Sequence, residues 1–388
     1  MMEQQARILI ADDEPLNVDY LEQELEDLDC KTTSAANGRQ ALEKIAAEGP
    51  DVILLDIMMP EMDGFEVLTR LKADRTMREI PVIVISALDD MDSIVRGIEM
   101  GAEDYLSKPF DPVLLRARIS ACLDKKRLRD REIQYLERIN RELDLAWQIQ
   151  AGFLPPKMPD IPGWQMTAKL EPSRETSGDF YDLFPLPKGQ LGILVADVVD
   201  KGMGAALFMI LSRTLIRTYA GEHHAEPDLV FGATNRRILA DTDTNQFVTV
   251  FYGILETGTG KLTYCNAGHN PPYLLGDSRG KELQALGQTG PPLGILDGVA
   301  WKKKSVRLSP GDVLVLYSDG ITEAQNNEGA FYGEERLQKA ARTALAQPTQ
   351  QIEDGIMSDL RRFVADARQQ DDIALVVIAR NSAATAAE

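Results

Sequence analysis

The chain contains 388 residues, of which 44% are hydrophobic and 27% are charged. This length allows two or three domains with full hydrophobic cores, and the composition excludes disorder of the whole chain. Asp and Glu outnumber Lys and Arg by 61 to 42, and the net charge of −19 opposes binding to nucleic acid or to anionic membranes. The same charge favours cationic ligands such as divalent metals.

Cysteine and histidine usage limits the redox and metal chemistry. The chain has three widely spaced cysteines with no CxxC pair, which predicts a reducing, cytoplasmic environment. With only three histidines, a metal site has to rest on carboxylates. The N-terminus lacks a signal-peptide layout and no run approaches 18 apolar residues, so we expect no membrane-spanning segment.

The first 124 residues alternate short apolar runs with helix-like stretches. This alternation predicts βαβ units and a doubly wound α/β domain with a parallel sheet. Two of the runs, at 52–55 and 82–85, are apolar without alternation, as expected for strands buried on both faces. The predicted strands lie at 7–11, 31–34, 52–55, 81–85 and 104–106, and the predicted helices at 16–28, 39–48, 65–73 and 91–100.

A stretch without Pro or Gly, at 113–151, predicts an unusually long helix. Ile133, Leu136, Leu143 and Trp147 fall on heptad a and d positions, and Asn140 falls on an a position. Such a pattern favours a two-stranded, dimerising coiled coil, in which the lone Asn fixes the register. The alternative is a solvated connector that packs only on its own domain.

From residue 153 onward, strand-like and helix-like segments occur in separate runs. This arrangement predicts an α+β domain of packed antiparallel sheets, with a hairpin turn at 257–260. The small, polar tail at 381–388 is expected to be disordered. The predicted strands lie at 164–170, 192–195, 247–255, 262–266, 313–317 and 374–378, and the helices at 205–219, 229–241 and 349–367.

Three aspartates follow strands of the first domain. Asp12 and Asp13 come after the first strand and Asp56 after the third, while Ser86 and Lys108 end the fourth and fifth. Ligands bind at the carboxyl ends of strands in a doubly wound sheet, so these side chains should converge. Crowded carboxylates require a cation, which implies Mg²⁺, and a lysine there can pair with a phosphoryl oxygen. The set suits phosphoryl transfer onto a carboxylate.

These residues resemble the receiver domain of two-component response regulators, which has a flavodoxin-like fold. The resemblance implies that Asp56 is the phosphoacceptor and that Asp13, with the Met58 carbonyl, binds the metal beside Asp12. It also implies that Ser86 and Tyr105 form a switch pair and that a histidine kinase is the upstream partner. The matching segments are DD at 12–13, DIMMPEMDG at 56–64, SA at 86–87 and KPF at 108–110.

Further aspartates stand beside strand ends in the second half of the chain. They are Asp179, Asp197, Asp319 and the adjacent pair Asp371 and Asp372. Carboxylates select Mg²⁺ or Mn²⁺, and two such ions can bridge a water, lower its pKa and aim it at a phosphorus atom. This mechanism needs no protein nucleophile, which agrees with the absence of a CxxxxxR loop or an obvious Ser-His pair.

This half resembles the metal-dependent (PPM) protein serine/threonine phosphatases of the bacterial sporulation and sigma-factor branch, whose fold is an antiparallel β-sandwich in αββα layers. The resemblance implies that Asp179, Asp197 and the Val198 carbonyl bind one metal, that Asp197 bridges to a second, and that Asp319 and Asp371 hold the second. The sequence leaves Asp182 open as an alternative to Asp179, and Asp372 as an alternative to Asp371. The matching segments are SGDFYD at 177–182, ADVVDKG at 196–202, NAGHNPP at 266–272, PPLG at 291–294, YSDGITE at 317–323 and AWQIQAGFLP at 146–155.

The function expected from both resemblances is a response regulator with a phosphatase output. Phosphorylation of Asp56 would control hydrolysis of a phosphoserine protein, namely an anti-sigma factor antagonist, by a cytoplasmic homodimer paired through its helix. The expected domains are a receiver at 1–124, a helical linker at 125–152, a phosphatase at 153–380 and the tail. The alternative is a phosphatase-fold adaptor that binds a phosphorylated partner without hydrolysing it. A DNA-binding role is disfavoured by the acidic charge.

Overall fold

A computed structural model describes residues 5–382, except 29, 88–90, 243–245, 277–282 and 346. The chain divides into two compact units, Met1–Ile139 and Asn140–Glu388. Among the described residues, no helix is both long enough and apolar enough to cross a membrane. Of the tail predicted to be disordered at 381–388, residues 383–388 lie outside the described residues.

The first unit contains a five-stranded parallel sheet in the order β2-β1-β3-β4-β5. Apolar clusters lie on both faces of this sheet, as the unalternating strands β3 and β4 require. Every predicted strand and helix of this unit is present, with bounds that move by a few residues. They are β1 (Ala6–Ala11), α1 (Pro15–Leu25), β2 (Cys30–Ala35), α2 (Gly38–Glu48), β3 (Val52–Asp56), α3 (Gly64–Ala73), β4 (Val82–Ala87), α4 (Met91–Glu99) and β5 (Asp104–Lys108).

Helix α3 begins next to the end of β3 because of a glycine and an aspartate cap. The Asp63 carboxylate accepts a hydrogen bond from the Glu66 amide at 2.7 Å, which stabilises the first turn. A Cβ on Gly64 would lie 2.3 Å from the Asp56 carbonyl oxygen, so only glycine fits there. The helix therefore starts directly beside the strand end that carries Asp56.

The long helix predicted at 113–151 is present as α5 (Pro112–Ala151), with 40 residues. Ile133 and Leu136, two of its heptad positions, expose 47% and 53% of their surface. The boundary between the two compact units falls between Ile139 and Asn140, inside this helix. The boundaries at 124 and 152 and the coiled-coil pairing remain predictions.

The second unit contains two antiparallel five-stranded sheets, in the orders β13-β10-β9-β8-β7 and β12-β11-β14-β15-β6. The predicted hairpin turn at 257–260 joins β9 to β10. The elements are β6 (Trp164–Glu171), β7 (Phe180–Leu186), β8 (Gln190–Val198), α6 (Met203–Glu222), α7 (Pro227–Asp241), β9 (Val248–Glu256), β10 (Lys261–Ala267), β11 (Tyr273–Leu275), β12 (Gln284–Ala285), β13 (Lys304–Arg307), β14 (Val313–Tyr317), α8 (Asp319–Thr322), α9 (Gly333–Thr343), α10 (Thr349–Val364) and β15 (Ile373–Arg380).

Alternation along the strands divides this unit into three cores. In β14, Leu314 and Leu316 face the core between the two sheets, whereas Val313 and Val315 pack in the core with α9 and α10. A third core lies between the first sheet and helices α6 and α7. Two apolar faces per sheet explain why the central strands β8, β9 and β14 are buried along most of their length.

Several elements of this unit were not predicted from the sequence, notably β7 and α9. Strand β7 contains Asp182 and Pro185, which interrupt its apolar run. Proline is tolerated because β7 is an edge strand of its sheet. Helix α9 is rich in charged residues and buries only Leu337 and Ala341, so few apolar residues mark it in the sequence. The short β11, β12, β13 and α8 were also missed.

Candidate functional site

The carboxyl end of the parallel sheet gathers an acidic cluster around a lysine. Ligand oxygens of Asp12, Asp13 and Asp56 all lie within 4.8 Å of one another. The Lys108 ammonium group donates hydrogen bonds to Asp12 Oδ2 at 2.9 Å and to Asp56 Oδ2 at 2.6 Å. The convergence predicted for these four side chains is therefore present. An all-oxygen donor set of this kind fits Mg²⁺.

Burial raises the pKa of Asp56, and the Asp12 charge adds to this, while the bonded Lys108 acts in the opposite direction. Burial also lowers the pKa of Lys108, but its two carboxylate partners outweigh burial and raise it overall. The lysine therefore stays protonated and neutralises part of the cluster. Loss of that pairing would leave crowded carboxylates that only another cation could stabilise.

The other receiver positions lie around this cluster. Ser86 is buried at the end of β4. Tyr105 is on the neighbouring β5, with the Arg118 guanidinium 4.6 Å from its ring centre. The Met58 side chain is exposed, and its amide donates to Asp56 Oδ1 at 3.2 Å. The loop after β3 thus lies next to the acidic cluster, as a carbonyl ligand from Met58 requires.

In the second unit, one end of the sandwich gathers four aspartates from separate elements. Asp197 lies near the end of β8, Asp179 directly precedes β7, Asp319 begins α8, and Asp371 precedes β15. The Asp179 and Asp197 carboxyl groups are within hydrogen-bonding reach of each other. Among the residues that the structure describes, these carboxylates form no triple as tight as the receiver cluster. A looser spacing is compatible with two ions that share one bridging ligand.

Burial and mutual repulsion shift the pKa values of these groups strongly. Burial, with the charge of Asp319, raises the pKa of Asp197 to about 7. Burial and the charge of Asp371 raise the pKa of Asp319 to about 6, and burial and Asp197 raise the pKa of Asp179 well above its usual value. The buried Asp179 Oδ2 has no hydrogen-bond partner among the described residues. An unpartnered carboxylate oxygen beside crowded acids fits divalent cations.

The two alternative aspartates left open by the sequence, Asp182 and Asp372, both have close partners. Asp182 is buried between two arginines, 2.8 Å from Arg213 and 3.1 Å from Arg217. Asp372 accepts hydrogen bonds from the Gly178 amide at 2.7 Å and the Ser177 hydroxyl at 3.0 Å. The arginine partners of Asp182 favour Asp179 as the ligand. Asp371 and Asp372 are both engaged, because Asp371 Oδ1 lies 2.9 Å from the Lys201 ammonium group, so both stay candidates.

Glycines allow the loops that carry these aspartates to approach one another. A Cβ on Gly320 would lie 1.8 Å from the Asp372 carbonyl oxygen, and one on Gly178 would lie 3.1 Å from the Val198 carbonyl oxygen. Asp200, in the loop that follows β8, has a φ of 72°. Aspartate tolerates this left-handed conformation better than most residues.

Gln150 is a site residue that the sequence did not reveal by itself. Its side chain is buried at the end of α5 and forms two hydrogen bonds with the Ser177 backbone. The Ser177 hydroxyl, whose single proton is shared between two acceptors, lies 3.0 Å from both the Asp179 carbonyl oxygen and Asp372 Oδ2. Gln150 therefore holds the loop that carries Asp179. The only sequence signal was its place in the segment at 146–155.

His269 is buried within the sandwich, with Nδ1 3.0 Å from the Thr249 hydroxyl. Burial lowers the pKa of His269 to about 4. The imidazole is therefore neutral near pH 7 and out of reach of bulk solvent. This placement supports a structural role for His269 over a catalytic one.

Known families match both halves of the chain. The family model of Stage II sporulation protein E (SpoIIE) matches residues 187–381, half of the chain. The chain belongs to the SpoIIE family. The model of the response regulator receiver domain matches residues 8–120, so the first unit is a receiver domain fused to a SpoIIE-type phosphatase domain.

Individual relatives agree with this assignment. Protein IcfG of Synechocystis sp. is 34% identical over 270 residues, which cover 63% of this chain and 42% of IcfG. Phosphoserine phosphatase RsbU of Bacillus subtilis is 30% identical over 246 residues, 63% of this chain and 71% of RsbU. The chain thus spans less than half of IcfG. The SiaA-PP2C domain of Pseudomonas aeruginosa shares the fold, with a TM-score of 0.56, 22% identity and coverage of 63% of this chain and 98% of that domain.

Proposed function

We propose that the second unit hydrolyses phosphoserine in a protein substrate with two divalent metal ions, under the control of phosphorylation at Asp56. The main support is the buried Asp179 Oδ2, which has no hydrogen-bond partner among the described residues and lies in the same site as Asp197 and Asp319, whose pKa values are raised by burial and by neighbouring carboxylates. The similarity to phosphoserine phosphatase RsbU supports the substrate class.

In this proposal each aspartate has a separate task. Asp179 and the Val198 carbonyl would hold one Mn²⁺ or Mg²⁺ ion, Asp319 and Asp371 would hold the other, and Asp197 would contribute to both. When bound, such ions would lower the pKa of a water molecule and stabilise charge on the phosphoryl oxygens. Asp197, Asp319 and Asp371 are partly exposed, so a phosphoserine can reach them from solvent.

The receiver has the groups needed to accept a phosphoryl group. Asp56 is the proposed acceptor, with Asp12, Asp13 and the Met58 carbonyl around a Mg²⁺ ion. The Asp56 carboxylate attacks the phosphorus of a kinase phosphohistidine, the P–N bond breaks, and Lys108 moves from Asp56 to the transferred phosphoryl oxygens. The Ser86 hydroxyl and the Tyr105 ring then follow the phosphoryl group as the proposed switch pair.

Partners and assembly form the finer part of the proposal. We place a histidine kinase upstream and an anti-sigma factor antagonist downstream as the phosphoserine substrate. The exposed Ile133 and Leu136 of α5 support a homodimer paired through the linker at 125–152. The receiver at 1–124 and the phosphatase at 153–380 remain the proposed domains. Cys30, Cys122 and Cys265 form no disulfide with any described residue, which supports a cytoplasmic location.

A single-turnover assay with a phosphoserine protein or peptide tests the chemistry. The full chain should release phosphate in Mn²⁺ and lose this activity on chelation, and Asp197→Ala and Asp319→Ala should each lower the rate at least a hundredfold. Asp160→Ala, at an exposed position outside the site, is the control. Unchanged rates in the two site variants would refute the assignment. Phosphopeptide binding without any phosphate release would favour the adaptor instead.

A further inference from the structure

A cavity of about 210 Å³ opens beside the aspartate cluster of the second unit. Its floor consists of Met357, Leu360 and Ile373, each at most 5% exposed. Charged side chains, including Arg368 and Glu323, line its exposed rim. An apolar cavity of about 150 Å³ is large enough to bind benzene. This one can therefore hold one large aliphatic or aromatic side chain.

The cavity is continuous with the proposed catalytic centre. Asp371 and Gly320 contribute to its wall, and both belong to the loops that form that centre. Any phosphoserine bound at the aspartates would bring the neighbouring residues of its own chain to this opening. The position of the cavity therefore suits a segment of the substrate that flanks the phosphoserine.

The wall that carries Arg368 is fixed before any ligand arrives. The Gln369 amide donates to the Glu171 carbonyl at 2.9 Å and to the Asp371 carbonyl at 2.7 Å, tying the segment to β6 and β15. Ala365, where α10 ends, has a φ of 52°, a strained conformation for a residue with a side chain. Strain of this kind persists where the surroundings enforce it, and it is concentrated at functional sites.

The two arginines on the rim of the cavity differ in whether they already form an ion pair. Arg361 is paired with Glu171, whereas Arg368 is exposed and forms no ion pair with any described residue. In a chain of net charge −19, an unpaired arginine beside an apolar cavity offers a carboxylate-binding position. Arginine is well suited to this because its planar guanidinium binds a carboxylate through two hydrogen bonds.

We propose that this cavity is a specificity subsite for the segment that flanks the substrate phosphoserine. A large apolar side chain of that segment enters the cavity, and a nearby Asp or Glu of the same segment pairs with Arg368. The inference rests on the proposed phosphoserine hydrolysis and adds the class of protein segment that is preferred. Differences of one or a few methylene groups in such a pocket change the specificity constant by about tenfold or more.

The test uses the full-length protein in Mn²⁺ and a panel of short phosphoserine peptides. Each peptide carries one leucine at a different distance from the phosphoserine in a Gly/Ala background, with or without an adjacent aspartate. Ala367→Trp fills the cavity, Arg368→Glu reverses the rim charge, and Arg236→Glu, on the exposed side of α7, makes the same charge change away from it. Phosphate release from p-nitrophenyl phosphate, which has no flanking residues, measures the catalytic centre alone.

We expect wild-type kcat/KM to rise at least tenfold for one leucine position, and further with aspartate. Ala367→Trp should remove the leucine preference, Arg368→Glu should remove or invert the aspartate preference, and Arg236→Glu should keep both. All variants should hydrolyse p-nitrophenyl phosphate within about twofold of wild type. The subsite would be refuted if wild type hydrolysed all peptides with the same kcat/KM. It would also be refuted if the leucine and aspartate preferences persisted in Ala367→Trp and Arg368→Glu.

Binding of the same peptides, followed by fluorescence anisotropy, separates this proposal from the proposed function. If the protein releases no phosphate but binds the leucine peptide in a manner that depends on Ala367 and Arg368, hydrolysis is refuted and the docking subsite stands. If phosphate is released with no sequence preference, hydrolysis stands and the subsite is refuted. If neither release nor pocket-dependent binding occurs, both are refuted.

Discussion

Gln150 links the end of α5 to the loop that carries Asp179, through two hydrogen bonds with the Ser177 backbone. We expect Gln150→Leu to weaken Mn²⁺ binding about tenfold or more, as loss of an outer-shell contact does elsewhere. Leaving the Ser177 amide and carbonyl unpaired would also destabilise the unit by ~1–3 kcal/mol. Isothermal titration with Mn²⁺ gives the dissociation constant.

Gln148→Leu is the matched control for Gln150, because it makes the same change at an exposed position of the same helix. It should leave both Mn²⁺ affinity and stability unchanged. Equal Mn²⁺ affinity in the two variants would show that the buried amide does not position the Asp179 loop.

His269 provides a test by pH. The folded chain holds its pKa at about 4, below the unfolded value of 6.5, so the unfolded state binds the extra proton between these values. Stability is therefore lost as pH falls through this window, by up to roughly 3 kcal/mol. We expect His269→Gln to reduce this acid-induced loss.

Tryptophan fluorescence is a suitable probe for that experiment, because Trp147, Trp164 and Trp301 all lie in the unit Asn140–Glu388. Urea unfolding of both proteins at pH 7 and pH 4.5 gives the difference in acid sensitivity. Identical losses of stability in wild type and His269→Gln would contradict the buried, neutral imidazole.

At the level of single residues, the sequence predicted the receiver cluster better than the second site. Asp12, Asp56 and Lys108 follow parallel strands, whose carboxyl ends meet at one sheet edge, so their convergence follows from topology. The choice between Asp179 and Asp182 could not be made this way. It depends on Arg213, which is 31 positions further along the chain and is brought to Asp182 only by tertiary packing.

Among the secondary-structure elements, the fully buried parallel strands were the easiest to predict. Strands β3 and β4 read as unbroken apolar runs because helices cover both faces of their sheet. The edge strand β7 was missed because Asp182 and Pro185 disrupt its pattern. Its placement follows from pairing with β8, a long-range contact that local sequence does not encode.

Helix α5 carries the next prediction, since exposed Leu136 and the partly buried Leu143 lie on its heptad seam. If the seam pairs two chains, lysine at both positions places four like charges at the dimer interface, and the protein should become monomeric. Sedimentation equilibrium of wild type and the double variant Leu136→Lys/Leu143→Lys measures this. Gln134→Lys/Glu142→Lys introduces lysine at exposed heptad b and c positions away from the seam and should remain dimeric. A monomeric wild type would rule out the coiled coil.

For the whole molecule, the proposal requires the receiver to influence the phosphatase. Beryllofluoride, which mimics a phosphoryl group on aspartate, should change the rate of phosphate release of wild type severalfold in Mn²⁺. Asp56→Asn lacks the acceptor and should show no response, while Asp19→Asn, at an exposed position of α1, should respond like wild type. If Asp56→Asn responded to beryllofluoride as strongly as wild type, Asp56 would not be the residue through which the phosphatase is regulated.

The pair of divalent ions in the second unit is the claim on which the enzymatic account depends, and diffraction from a crystal of the protein soaked in Mn²⁺ tests it most directly. We predict two anomalous peaks about 3.5–4 Å apart, flanking Asp197, with Asp179 on one side and Asp319 and Asp371 on the other. A map without manganese density at Asp197, in which these carboxylates point away from one another, would contradict the account.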